Sequence, residues 1–142
     1  MTPAQLVTFR AAVQANPDIA AVRAAGDQGA VAAYYNTLDA GTIWRPDITV
    51  SELNTAIIWT EFAALSVALQ NTYLALISAP FIDTTKANIR GGFSAIFGPA
   101  TTSRANLIAL AQRTPTRFES LFTTAQVCSV YGQVVSADDT GV

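Results

Sequence analysis

The chain has 142 residues, 51% of them hydrophobic and only 13% charged, with a net charge of −2; at this length one domain can bury roughly 68–70% of its unfolded surface. That composition excludes disorder, and the low pI of about 4.8 argues against a surface built wholly for nucleic acid. No histidine, one cysteine (Cys128) and one lysine (Lys86) remove Ser-His-Asp and Cys-His catalysis, a disulfide framework and the common zinc sites.

The punctuation is helical almost throughout. Thr2 caps a first helix with Pro3 at its first position, and Leu6, Phe9 and Val13 share one face until Asn16-Pro17 stops it. A short helix from Pro17 turns Ile19 and Val22 inward and ends at Gly26, and Asp27 caps a third piece carrying Val31, Tyr35 and Leu38 before Gly41. Pro46 biases Arg45 toward extended backbone, so Ile43 to Pro46 reads as a loop with Trp44 tucked into the core.

Thr49-Val50-Ser51-Glu52 is a capping box. From it the spacing of Ile58, Phe62, Leu65, Leu69, Tyr73 and Leu76 predicts one long central helix to about residue 78, roughly 43 Å in length. Phe62 to Ile82 is uncharged, but Gln70, Asn71 and Thr72 at its centre favour a buried bundle helix over a membrane span. Asp83 or Thr84 caps the next helix, with Ile89, Phe93, Ile96 and Phe97 on one face. Gly91 and Gly92 in its middle imply either local weakness or a close-approaching backbone. After Gly98-Pro99, Thr102 or Ser103 starts a helix through Leu107, Leu110 and Ala111, and Thr114-Pro115 starts a short one through Phe118, Leu121 and Phe122. Residues 127 to 135 are rich in β-branched side chains and partly alternating. They read as a strand or extended arm, followed by a polar tail.

The fold class is therefore all-α, a bundle of five or six helices with a long central helix and a C-terminal extended arm; residues 1–125 form the bundle and 126–142 the arm and tail. A lone strand leaves backbone groups unpaired, so Val127, Val130, Tyr131, Val134 and Val135 are candidate partner-binding residues on another subunit. The other reading returns the strand to the loop near Ile43 or packs it on the bundle.

The charge is segregated. Residues 1–83 hold three arginines against seven acids, residues 84–118 hold Lys86, Arg90, Arg104, Arg113 and Arg117 with no acid, and residues 119–142 hold three acids. This acidic–basic–acidic order suits a head-to-tail contact between copies, or else a plain solvated surface. Arg90, Arg104, Arg113 and Arg117 are candidate interface charges or DNA-facing charges in a lumen. Glu52 and Glu61, nine residues apart on one helix, would point to opposite sides. Cys128 reads as an inert buried thiol, and no Ser-x-x-Lys, phosphate-cradling glycine loop or metal-ligand cluster is present, so no catalytic residue, cofactor or metal is expected. Trp44, Trp59, Tyr34, Tyr35 and Tyr131 read as core or interface anchors. The N-terminus lacks the basic start and apolar run of a secretory signal, so a cytoplasmic or otherwise unsecreted product is expected.

The Ala15-Asn16-Pro17-Asp18-Ile19-Ala20 break, Trp44-Arg45-Pro46-Asp47-Ile48-Thr49, Ile58-Trp59-Thr60-Glu61, Asn88-Ile89-Arg90-Gly91-Gly92 and Pro115-Thr116-Arg117-Phe118-Glu119-Ser120-Leu121-Phe122 together resemble small structural proteins of tailed bacteriophages. Their size and architecture are similar to those of head-to-tail adaptor (connector) proteins. The resemblance spans residues 1 to about 135 and rests on packing signatures. It implies a non-enzymatic virion component at the head–tail junction, a homo-oligomeric ring between the portal protein and downstream neck or tail proteins, with DNA passing through its lumen and no membrane. The alternatives are a tail-completion or minor capsid protein, and a small binder of an anionic ligand through Arg90, Arg104 and Arg113.

Overall fold

The computed structural model describes residues 1–142, apart from the side chain of Ala125. The chain is mostly helical, 60% helix and 7% strand. It divides into two compact units: unit 1 joins residues 1–42 to 114–142, and unit 2 is the inserted stretch 43–113. The expected boundary at 125/126 is not where the chain divides.

In unit 1, α1 (Pro3–Ala15) opens with a capping box in which the Thr2 hydroxyl accepts from Gln5 N–H and the Gln5 side chain accepts from Thr2 N–H, so two orphan donors of the first turn are satisfied. A 3-10 turn over Pro17–Ile19 leads to α2 (Ala20–Ala24), and Asp27 caps α3 (Gln28–Asn36). Phe9 is the centre of the core: its ring meets Tyr35 and Phe118 edge-on at 5.0 and 5.3 Å, and Phe118 meets Phe122 at 5.2 Å. The third helix stops at Asn36, so Leu38 leaves the apolar face and stands 66% exposed.

The C-terminal stretch differs most from its expected form. Thr123 and Gln126 form a capping box, which starts α9 (Thr124–Val130) where an extended arm was expected. Gln126 is what the alternation of valines concealed, because it supplies the acceptor that lets the backbone turn helical. Val127, Val130 and Val135 are buried in the core of unit 1, Tyr131 is half-buried and Val134 is exposed. Beyond α9 the backbone finds partners within its own unit. Val135 N–H donates to Asn36 Oδ1 at 2.8 Å and its carbonyl accepts from Asn36 Nδ2 at 2.9 Å; Arg10 donates to the Asp139 and Asp138 carbonyls. The premise of a strand seeking another subunit therefore falls.

In unit 2, the segment expected as a loop forms β1 (Ile43–Trp44), and β2 (Ile48–Thr49) follows it directly before α4 (Val50–Ala56). The single long central helix does not exist: α4, α5 (Trp59–Ala63) and α6 (Val67–Leu76) are separate. The breaks have local causes. Ile57 and Ile58 take extended backbone, and the Ser66 hydroxyl accepts from Leu69 N–H as a new N-cap. The i, i+4 apolar spacing survives across these breaks because each short helix packs the same core. β3 (Phe81–Ile82) pairs antiparallel with β2, Ile48 opposite Ile82, and precedes α7 (Ala87–Ile96) and α8 (Thr102–Ala111). β4 (Gln112–Arg113) pairs antiparallel with β1, Trp44 opposite Gln112. Lys86 occupies the cap position of α7 in place of Asp83 or Thr84, and Thr101 caps α8. At Gly92 the close neighbour is a side chain: a Cβ there would lie 2.9 Å from Leu76 Cδ1 on α6. Tyr73 is the central residue of this core, flanked by Phe62, Phe93 and Phe97. Among the described residues, no helix is long and apolar enough to cross a membrane.

Candidate functional site

Unit 2 uses its carboxylates internally. Thr49 and Glu52 form the capping box read from the sequence, with Glu52 Oε2 accepting from Thr49 N–H at 2.8 Å. Glu52 Oε1 also takes Arg45 Nη2 at 2.9 Å, and Arg45 Nε meets Asp47 at 3.3 Å. The Thr49 backbone N–H and hydroxyl, then Arg45, pull the Glu52 pKa down to about 2. Glu61 lies on α5, not on the helix of Glu52. Its two oxygens accept from Thr102 N–H at 2.9 Å and Ser103 N–H at 2.8 Å, capping α8, while the Ser103 hydroxyl accepts from Ile58 N–H at 2.9 Å at the start of α5. Ser103, through its hydroxyl and N–H, and then Thr102 hold the Glu61 carboxyl below its usual range. Asp83 completes the set with Lys86 at 3.4 Å.

Within unit 2, Arg90 and Arg104 have no carboxylate partner among the described residues, and they line the same small cavity of about 40 Å³. Its walls are apolar, with Trp44 and Ile48 on the β1–β2 side and Phe93, Leu107 and Ile108 from α7 and α8. Arg90 is fixed: Nη1 donates to the Thr84 and Thr85 carbonyls at 2.6 and 2.7 Å, and its guanidinium lies 4.7 Å from the Trp44 ring centre. The backbone beneath it is equally fixed, since Thr84, buried, donates its hydroxyl to the Arg45 carbonyl at 2.6 Å. Arg104, in the first turn of α8, is half-buried and its guanidinium has no hydrogen-bond or ion-pair partner among the described residues. Sequence reasoning named both arginines, but their convergence depends on the packing of α7 against α8, which no local motif encodes.

The other named charges lie elsewhere. Arg113 is on β4, opposite Ile43, and does not join the cavity lining. Arg117 belongs to unit 1, where its guanidinium stacks 4.0 Å from the Tyr34 ring centre beside an open groove of about 400 Å³ bordered by Asn16, Asp39 and Ser120. The five arm residues do not form a surface, because three of them are core. Cys128 is exposed on α9, contrary to the buried thiol expected there.

Sequence reasoning missed Glu119. Its carboxylate is fully buried, accepting from Thr116 N–H at 2.8 Å and Gly132 N–H at 2.8 Å, so it ties the segment after 114 to the loop after α9. Gly132 has φ +69°, a conformation that orients this N–H inward without a Cβ penalty. The signal was Thr116-x-x-Glu119, a capping-box pattern inside the Pro115-Thr116-Arg117 run.

Both units expose large apolar side chains, Val7, Leu38 and Val134 among those of unit 1. Trp59 is 53% exposed, and Val67 and Leu74, seven residues apart on one face of α6, are 71% and 55% exposed, with Phe81 similarly open. No protein-family model, no curated protein and no solved structure matches the chain.

Proposed function

We propose that the chain is a head-to-tail adaptor of a tailed bacteriophage, a non-enzymatic virion protein that forms a homo-oligomeric ring at the head–tail junction between the portal and downstream neck or tail proteins. DNA passes through the ring lumen without being read, with lumen arginines acting only on backbone phosphate. The observation that carries this reading is the apolar exposure of Trp59, Val67, Leu74 and Phe81 on unit 2. Isolated exposed apolar residues are ordinary, but Val67 and Leu74 on one helix face together with the 13% charged composition suit a surface covered by protein. The motif resemblance points to the same class. Fixed positions for Arg90 and Arg117 are what a ring subunit needs in order to present charge without side-chain disorder.

A tail-completion or minor capsid role uses the same surface and differs in copy number. Quantitative mass spectrometry of purified particles separates them: an adaptor ring is present in the copy number of the portal or a simple ratio to it, whereas a capsid component is present in far larger numbers. Binding of a small anion is the second reading, favoured by Arg90 and Arg104 sharing one cavity. The cavity's 40 Å³ admits about three water-sized groups, which is too little for a nucleotide or a coenzyme.

A further inference from the structure

We infer that the notch between Arg90 and Arg104 is a socket for a second copy of this chain, receiving Leu38 with Asp39 beside it. This deepens the ring reading and rests on it for self-association.

The socket has a defined chemistry. Its walls are mostly aliphatic and aromatic, it is a small notch of about 40 Å³, and Arg90 and Arg104 both line it. The four carboxylates of unit 2 are all engaged, with Arg45, with Lys86 or with the α8 N-terminus, so nothing within the unit neutralises Arg90 or Arg104. An occupant must therefore bring one apolar anchor and an adjacent negative charge.

Unit 1 offers that pair. It holds three arginines against six acids, one of them the buried Glu119, whereas unit 2 holds five cations against four acids, so the net charges of the two units are opposite in sign. Leu38 is two-thirds exposed and followed directly by Asp39. Its backbone is held: Leu38 bridges Thr116, Asp39 N–H donates to the Pro115 carbonyl at 2.9 Å and Arg117 N–H to the Thr37 carbonyl at 2.9 Å. An exposed aliphatic side chain on a pinned backbone loses little freedom on docking. Because knob and socket are different surfaces of the same chain, the contact is head-to-tail and propagates to a ring or a filament.

The test uses the full chain alone. Sedimentation velocity across a concentration series up to the millimolar range should show concentration-dependent association that weakens as salt is raised. Leu38→Asp, which places a charge in the apolar socket, and Arg104→Glu, which reverses the socket's sign, should each weaken association at least about tenfold. Both positions are on the surface or half-buried, and circular dichroism checks that the variants stay folded. The double variant Asp39→Lys with Arg104→Glu should recover part of the loss. In a Cys128→Ser background, a mixture of Leu38→Cys and Ile108→Cys chains, one isotope-labelled, should form the mixed disulfide in excess over either like pair. A wild-type chain that stays monomeric throughout, or association untouched by Leu38→Asp and Arg104→Glu, overturns the socket. If such a chain nevertheless joins a portal ring, the adaptor reading stands without it; self-association through Leu38 with no affinity for a portal leaves the socket standing and removes the adaptor reading.

Discussion

The two units solve the same problem, a small helical core with few charges, in opposite ways. Unit 1 turns polar chemistry inward: Glu119 is buried on Thr116 and Gly132, and Asn36 clasps the Val135 backbone. Unit 2 uses Glu52 and Glu61 at helix N-termini, pairs Asp47 with Arg45 and Asp83 with Lys86, and holds Arg90 and Arg104 half-buried without a carboxylate. A buried carboxylate is tolerated only when its acceptor sites are filled, so unit 1 gains a fixed connection between distant segments. In unit 2 the four acids are taken up by helix N-termini and by Arg45 and Lys86, against five cations in all.

Core truncation should break this comparison most strongly. Phe9→Ala should cost about 3–5 kcal/mol, with hydrogen-exchange protection lost first in residues 1–42 and 114–142. Tyr73→Ala is its counterpart in 43–113, where it also removes the hydroxyl that donates to Asn54 Oδ1 at 3.0 Å. A uniform loss of protection along the chain in both variants would mean that the division into units has no energetic content.

Next in size is Glu119→Leu. It leaves two inward N–H groups without their acceptor and should cost about 2–4 kcal/mol by denaturant unfolding, despite removing a buried charge. A neutral result would show that the polar link in unit 1 is incidental.

Acid titration sharpens the contrast from the other side. Glu52 has its folded pKa depressed to about 2 from 4.5, so its stabilisation is present above the unfolded value and disappears as pH falls from about 4.5 toward 2. Glu52→Gln should make the acid limb of the stability curve shallower without abolishing it, since Glu61 and Asp139 are lowered as well. The smallest effect concerns adjacent glycines of α7. Gly91 has open space at its Cβ position, and Gly91→Ala should raise stability by about 0.5–1 kcal/mol; Gly92→Ala should lose that gain because it pushes on Leu76. Thermal unfolding of the two variants compares them directly.

Legibility in the sequence followed the range of the interaction. Caps within three residues were readable, as at Thr2, Asp27 and Thr49, because donor and acceptor share one turn. The helix breaks at Ile57–Ile58 and Ser66 were not, since apolar spacing continues across a bend whenever the pieces face one core. The C-terminal valines misled for a related reason: Val127 and Val130 are three apart and Val135 follows the helix, so burial of all three fits a strand pattern as readily as a helix and a turn. At the candidate site, the arginines and their lack of nearby acids could be read from the charge blocks. The cavity could not, because Trp44 and Arg90 are 46 positions apart and meet only through the strands and helices between them.

The most direct test of the adaptor role is native mass spectrometry of the purified chain with a portal ring from the same genome, each alone and then mixed. The account predicts a complex of whole-number, ring-symmetric stoichiometry. A portal that stays bare beside a monomeric chain would contradict it.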